Sequence, residues 1–110
     1  MRMSMGEEAV QTKITLVIDN PADLDAFEAD FPNLLDLART LPEIARIESG
    51  RVWPKDDGTP TPAHRILDFY FSDYATASRA VASPEAGVFF GKLGTMHGAV
   101  SMGLFSEVEE

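Results

Sequence analysis

The chain has 110 residues, 45% of them hydrophobic, and this length and composition favour a single globular domain with its own core. Eighteen acidic against nine basic residues give a formal net charge of −9, which argues against nucleic acid and anionic membranes as partners. The absence of cysteine excludes disulfides, thiolate catalysis and cysteine-ligated metals. No apolar run reaches the roughly 20 residues of a membrane helix and no secretion signal is recognisable, so we expect a cytoplasmic protein.

The first predicted element of the domain is a strand. Residues 1–11 show neither helical nor alternating periodicity, so we expect a flexible N-terminal tail followed by one domain over residues 12–110. In residues 13–19, β-branched side chains are frequent, and the two faces of a strand alternate. The face predicted to be buried contains Ile14, Leu16 and Ile18. The opposite face contains Lys13, Thr15 and Val17.

An amphipathic helix and a second strand follow. Asp23 is a typical helix N-cap, and apolar residues then recur at three- and four-residue steps. Pro32 is expected to bend or split this helix, and Pro42 to stop it, because proline lacks the amide hydrogen that a helix interior needs. A second strand is predicted over residues 44–53. The apolar positions of the helix are Leu24, Phe27, Phe31, Leu34, Leu35 and Ala38.

The second half of the chain repeats this order. Residues 54–62 are rich in proline and polar side chains and predict a loop, and residues 64–71 predict a third strand. Ser72 or Asp73 caps a short helix that extends to Val81. Pro84 indicates the start of a second helical segment, predicted from Glu85 to about Leu93. Alternation over residues 100–108 predicts the last strand.

The order strand, helix, strand, strand, helix, strand is that of a ferredoxin-like α+β fold, with a four-stranded antiparallel sheet carrying its helices on one face. The strands bear apolar side chains on both faces, so the helix-free face would expose an unusually large apolar patch on a monomer. We therefore expect a homodimer with two-fold symmetry through that face. A monomer with a solvated second face is the alternative.

Three segments resemble the EthD family of dimeric α+β barrel proteins. Residues 37–48 contain a helix exit ending in Leu41-Pro42, residues 68–77 contain an aromatic run before a helix, and residues 82–87 begin Ala82-Ser83-Pro84-Glu85. The resemblance covers residues 12–108. It implies a barrel made of two four-stranded sheets, with an apolar pocket between each sheet and its helices. It also implies an association with bacterial degradation of ethers and other organic compounds.

The resemblance leaves two functions open. The first is binding of a small apolar molecule as an accessory protein, and the second is cofactor-independent monooxygenase or isomerase activity, which related barrels have. Many EthD-like chains carry His-x-Pro on the first helix, where this chain has Leu34, Leu35 and Asp36. This departure favours binding over turnover. A dimer without a ligand is the structural alternative, and the sequence predicts no cofactor.

The candidate catalytic residues are few. His64 and His97 are the only histidines, and they show no spacing typical of metal ligands, so we expect no metal site. His64 is expected to be exposed at a strand entrance, whereas His97 precedes the last strand and is a candidate to face a pocket. Asp68 and Tyr70 share one face of the third strand and are further candidates.

A carboxylate in an apolar strand needs a donor or a cation. For Asp68 the predicted partner is Arg46 or Arg51, and Tyr70 could join the same network. Trp53 is interpreted as a rim aromatic or a dimer contact, with stacking on a ligand as the alternative. Aromatic side chains are numerous enough to line an apolar pocket, although core packing is the simpler role for each. The predicted ligand-binding residues are Leu16, Phe27, Phe31, Phe69, Phe89 and Phe90.

Ferredoxin-like folds also bind RNA, and residues 65–71 faintly resemble an aromatic RNA-binding strand. Asp68 and the net charge of −9 oppose that interpretation. A metallochaperone would need cysteines, and an acylphosphatase-like enzyme would need a basic, glycine-rich loop after the first strand, which this sequence lacks.

Overall fold

A computed structural model describes residues 10–59, 61–96 and 101–109. The strands in this part of the chain form one antiparallel sheet in the order β2-β3-β1-β4. This is the ferredoxin-like α+β fold, as the sequence predicts. In chain order the elements are β1 (Thr12–Ile18), α1 (Leu24–Ala38), β2 (Arg46–Arg51), β3 (Arg65–Phe71), α2 (Tyr74–Val81), α3 (Pro84–Gly94) and β4 (Ser101–Glu107).

The two faces of the sheet differ in burial as the alternation predicts. Along β1, buried residues on the helix-covered face alternate with half-buried residues on the other face. The residues of β3 on the helix-covered face are buried as well. These side chains form the core together with apolar residues of the three helices. The strand residues of the core are Ile14, Leu16, Ile18, Leu67, Phe69 and Phe71.

Helix α1 begins as predicted but is not split. The side chain of Asp23 accepts a hydrogen bond of 3.0 Å from the amide of Ala26, which satisfies one of the free donors of the first turn. Pro32 lies inside the helix, which continues to Ala38, so the helix is not split at this residue. The ring of Pro32 is exposed, while Phe31 and Leu34 on either side are buried, so packing holds this turn together despite the missing hydrogen bond.

Side-chain caps define the other two helices. Asp73 accepts a hydrogen bond of 2.8 Å from the amide of Thr76 at the start of α2, and Ser83 accepts one of 3.2 Å from Ala86 at the start of α3. Pro84 occupies the first turn of α3, where its missing amide hydrogen costs nothing. Both edge strands are shorter than predicted, and Val100 lies outside the described residues.

Candidate functional site

A cavity of about 190 Å³ lies between α3 and the strands β1 and β4. Side chains from the sheet form its floor, and side chains from α2, α3 and the turn after α1 form its walls. Every residue that lines it is apolar, so the cavity suits an uncharged ligand without polar anchors. The lining residues are Ile14, Leu16, Leu41, Phe69, Val81, Ala86, Phe89, Phe90, Gly103 and Phe105.

Two partly exposed rings stand between the cavity and solvent. Phe89 is fully buried and makes edge-to-face contacts with Phe69 at 5.6 Å and with Phe90 at 5.0 Å. The neighbouring ring of Phe90 is 42% exposed, because adjacent helical positions point about 100° apart. On β4, Phe105 is 43% exposed and lies 5.5 Å from the ring of Tyr74. Phe90 and Phe105 therefore form the outer wall of the cavity.

The structure brings together four of the six predicted ligand-binding residues. Leu16, Phe69, Phe89 and Phe90 line the cavity, whereas Phe27 and Phe31 do not. These two rings lie under α1, on the same face of the sheet but outside the cavity, where each packs against a polar side chain near the start of β3. The sequence did not predict the other six lining residues, which are Ile14, Leu41, Val81, Ala86, Gly103 and Phe105. The alternation along the last strand does place Gly103 and Phe105 on one face.

A second, open groove of about 540 Å³ lies at the end of β4, and its lining is of mixed character. Phe105 lines both spaces. Hydrogen bonds from Thr76 hold the pKa of Asp73 below its ordinary value, which keeps that carboxylate ionised at neutral pH. The groove is lined by Val10, Thr12, Asp73, Tyr74, Ala75, Phe105, Ser106 and Glu107.

A partly buried ionic cluster lies under α1, away from the cavity. His64 is only 7% exposed, so its predicted exposure is wrong. Its Nε2 atom is 2.6 Å from Oε2 of Glu28, and Arg65 donates to both carboxylate oxygens of Glu28 at 2.8 and 2.7 Å. The hydrogen bond from Arg65 is the main reason that the pKa of Glu28 falls from 4.5 to about 2, although burial opposes the shift.

The same cluster explains the positions of the two rings that miss the cavity. The ring of Phe27 packs edge-on against His64 at 5.5 Å, and the guanidinium of Arg65 lies 3.9 Å from the centre of the Phe31 ring. Arg65 thus combines an ion pair with a cation–π contact. We interpret the cluster as a structural connection between α1 and β3.

The remaining catalytic candidates do not meet at the cavity. Asp68 accepts a hydrogen bond of 2.6 Å from the hydroxyl of Thr15, in place of the predicted arginine partner. Tyr70 donates to Glu48 at 2.8 Å rather than to Asp68, and this hydrogen bond raises the pKa of Tyr70. Arg46 pairs with Glu48 at 2.5 Å. Both candidates lie on the helix-free face of the sheet, where an acid already satisfied by a hydroxyl has no access to the cavity.

Two further candidates are placed differently. His97 lies outside the described residues. Trp53 follows β2 and is 86% exposed, which agrees with a position on the rim. Within the described ranges no group of three or more acidic or histidine side chains could hold a metal ion, and no helix there is long and apolar enough to cross a membrane.

Comparison with solved structures defines the class of this fold. An EthD (ethyl tert-butyl ether D) family protein from Bacillus halodurans superposes with a TM-score of 0.82 at 17% identity, over 90% of this chain and 99% of that chain. SnoaB, a cofactor-independent oxygenase from Streptomyces nogalater, has a TM-score of 0.67 at 15% identity, over 93% and 96% of the two chains. A dimeric protein of unknown function and ferredoxin-like fold from Bacteroides fragilis has a TM-score of 0.67 at 10% identity, over 89% and 96%.

Sequence comparison identifies a nearer relative. No family model matches the chain. Over 74 residues, it is 32% identical to an uncharacterized 11.0 kDa protein from the thcB–thcC intergenic region of Rhodococcus erythropolis, covering 66% of this chain and 71% of that protein. The chain therefore belongs to the family of this Rhodococcus protein, and its fold is that of the EthD family, as the resemblance in its sequence predicts.

Proposed function

We propose that this protein binds a small apolar organic molecule in the cavity, as an EthD-like accessory protein of the degradation of ethers and similar compounds. The observation that carries the proposal is the uninterrupted apolar lining between α3 and the sheet. An apolar guest gains dispersion contacts with this lining, which offers water no hydrogen-bond partner. The name of the Bacillus structure, which refers to an ether, supports the class of ligand.

The size of the cavity limits the ligand. An empty apolar cavity of roughly 150 Å³ binds benzene. The cavity of about 190 Å³ in this protein therefore suits a molecule of about six to eight non-hydrogen atoms. A larger ligand would have to move the outer wall. Phe90 and Phe105 are the side chains that can make room, because both are partly exposed.

The second candidate function is cofactor-independent oxygenation or isomerisation. The structural similarity to SnoaB, a cofactor-independent oxygenase, is the observation in its favour. Such chemistry needs a base or an acid against the ligand. None of the described residues lining the cavity is titratable, and Asp68 and Tyr70 lie across the sheet from it. The lining therefore favours binding over turnover.

Calorimetric titration with toluene tests the proposal, and Gly103 offers a matched pair of variants. A Cβ atom at Gly103 would lie 4.0 Å from Leu16 Cδ1, which is ordinary contact. Gly103→Ala is therefore expected to bind toluene almost as the parent does, whereas Gly103→Leu fills the cavity and is expected to abolish binding without unfolding the protein. Absence of toluene binding to the parent would refute the proposal, and so would equal binding by both variants.

The partner that we propose is a second copy of the chain, bound through the helix-free face of the sheet. On that face the strand register sets side chains in rows that cross the sheet. One row is apolar and includes Ile66, Val17 and Met102. The next contains the acidic pair Glu48 and Asp68, with Thr15 and Leu104, and the third contains the basic pair Arg46 and Lys13, with Tyr70 and Ser106.

This arrangement favours a symmetric partner. Met102 and Leu104 are 56% and 51% exposed, which is unusual for large apolar side chains on a sheet. A two-fold axis that runs parallel to the charged rows and between them places the acidic row of one copy opposite the basic row of the other. The dimer would then pair opposite charges and bury the exposed apolar side chains in the same interface. The dimeric Bacteroides structure of the same fold supports this proposal.

A further inference from the structure

Trp53 is the most exposed large hydrophobic side chain in the described part of the chain, at 86%, and it is the only tryptophan. Its place on the surface is fixed, because the amide of Val52 donates a hydrogen bond of 3.0 Å to the carbonyl of His64 and holds the preceding residue to the sheet. Tryptophan is enriched among the side chains that anchor protein interfaces. An indole held in water at the end of an edge strand therefore indicates a contact with a partner.

A groove of about 310 Å³ lies at the other end of the same strand, between the end of α1 and the start of β2. Leu35, Ile44 and Ile47 form its half-buried apolar walls. Arg39 lines it too, with a side chain that is 63% exposed. We call this space the β2 groove. Apolar walls beside a guanidinium suit an indole, which buries a large apolar ring and attracts a cation to its face.

The two-fold axis proposed above brings Trp53 and the β2 groove together. This axis passes between the acidic and the basic row, at the level of Ile47. Rotation about it reverses positions along β2, so a residue that follows Ile47 in one copy lies opposite one that precedes Ile47 by the same number in the other. Trp53 is six residues beyond Ile47, roughly 20 Å along a strand, and so lies opposite the partner's Leu41. Arg39 and Ile44 of the β2 groove flank that position.

We propose that the indole of Trp53 docks in the β2 groove of a second copy of the chain, against Arg39, and that the symmetry repeats this contact at the other end of the interface. The inference rests on the proposed function, because it assigns an anchor to the dimer proposed there. It extends the interface from the sheet faces to the C-terminal end of α1. Two such contacts in each dimer oppose sliding of one sheet over the other.

Fluorescence tests the inference directly, because no other tryptophan contributes to the emission. Met102→Asp, which is expected to dissociate the dimer, lies on β4, at the opposite edge of the sheet from β2, so it affects the indole only through the partner. We expect the emission maximum of this variant to lie at a longer wavelength than that of the parent. Acrylamide should also quench the emission more strongly, because the indole returns to water.

Sedimentation equilibrium measures how much the contact contributes to the dimer. Trp53→Ala is expected to raise the dissociation constant of the dimer by about 30-fold, which is typical of an interface anchor. Arg39→Ala is expected to raise it by about threefold, and to have no further effect once Trp53 is alanine, because the two side chains share one contact. Tyr74→Ala removes another exposed aromatic ring, on α2, and should leave the constant unchanged.

The outcomes separate the anchor from the dimer itself. If the parent is a dimer and Met102→Asp a monomer, but their emission and quenching agree, this inference is wrong and the proposed dimer stands. The same holds if Trp53→Ala changes the dissociation constant no more than Tyr74→Ala does, or if Arg39→Ala keeps its full effect without the indole. If the parent sediments as a monomer, or if Met102→Asp remains a dimer, both the inference and the proposed dimer are wrong.

Discussion

Oε2 of Glu28 lies 2.6 Å from Nε2 of His64, and this contact joins the first turns of α1 to the residue that precedes β3. The same carboxylate receives two hydrogen bonds from Arg65. A half-buried carboxylate held in this way contributes to stability through its ionised form. The connection therefore depends on pH.

Replacing Glu28 tests this dependence. We expect Glu28→Gln to lower the free energy of unfolding at pH 7 by about 2 to 4 kcal/mol, because the amide leaves Arg65 without its counterion. The pKa of Glu28 is about 2 in the folded protein and ordinarily 4.5. Its stabilisation is thus fully present above pH 4.5 and is lost as the pH falls toward 2.

Urea unfolding of the parent and of the variant between pH 2 and 7 measures the effect. The difference between the two proteins should shrink as the medium becomes more acidic. Asp56→Asn, an exposed acid in a loop, serves as the control and should follow the parent at every pH. A difference that stays constant down to pH 2 would show that Glu28 acts through packing rather than through its charge.

Pro32 gives a prediction of the opposite sign. Proline at this position supplies no amide hydrogen to the carbonyl four residues earlier, although its ring is exposed. Pro32→Ala is expected to raise the free energy of unfolding by about 1 to 2 kcal/mol, since the restored hydrogen bond outweighs the extra freedom of the unfolded chain. Pro62→Ala, in an exposed loop, should give no gain. Equal effects of the two substitutions in urea would contradict this account of α1.

The proposed dimer is tested on β4. Met102→Asp and Leu104→Asp place a charge on the helix-free face, next to Val17 and Thr15 in register. Each is expected to dissociate the dimer while leaving the circular dichroism spectrum unchanged, because both side chains are exposed in the single chain. Val88→Asp, at an exposed position of α3, is the matched control. Sedimentation of the parent at micromolar concentration as a 12.0 kDa species would remove the dimer from consideration.

The two adjacent phenylalanines of α3 should behave differently. Phe89 is fully buried, so Phe89→Ala is expected to cost about 3 to 5 kcal/mol of unfolding free energy. Phe90 is partly exposed on the outer wall of the cavity, so Phe90→Ala should cost about 1 kcal/mol or less and weaken toluene binding. Thermal unfolding and titration of both variants distinguish the roles. Equal destabilisation would mean that Phe90 is only a core residue.

Most of the fold could be predicted because its signals are local. Alternation along residues 13–19 identified the buried face of β1, and Asp23 and Asp73 marked the helix starts through a hydrogen bond three residues away. The split predicted at Pro32 does not occur, because contacts with residues distant in the sequence outweigh this local signal. Packing of Phe31 and Leu34 against the sheet decides whether that turn is helical, and a helix propensity contains no such information.

The site was harder to predict because it depends on which helix covers which strands. Phe27, Phe31, Phe89 and Phe90 are equivalent as apolar helix positions, yet α1 carries the first pair away from the cavity and α3 carries the second pair to it. The pairing of His64 with Glu28 joins residues 36 apart in the sequence. The one available signal was the position of Glu28 beside Phe27, at the border of the apolar face of α1.

The place of β1 in the sheet determines when the fold can form. This strand comes first among the four in the chain but lies between β3 and β4, so its partners follow it by about 50 and about 90 residues. The residues of β1 thus emerge from the ribosome before either of the strands that pair with β1 has been synthesised. Contacts so distant in sequence slow folding, and we expect the β4 side of β1 to stay unpaired until β4 has been synthesised, which leaves that edge open to chaperones.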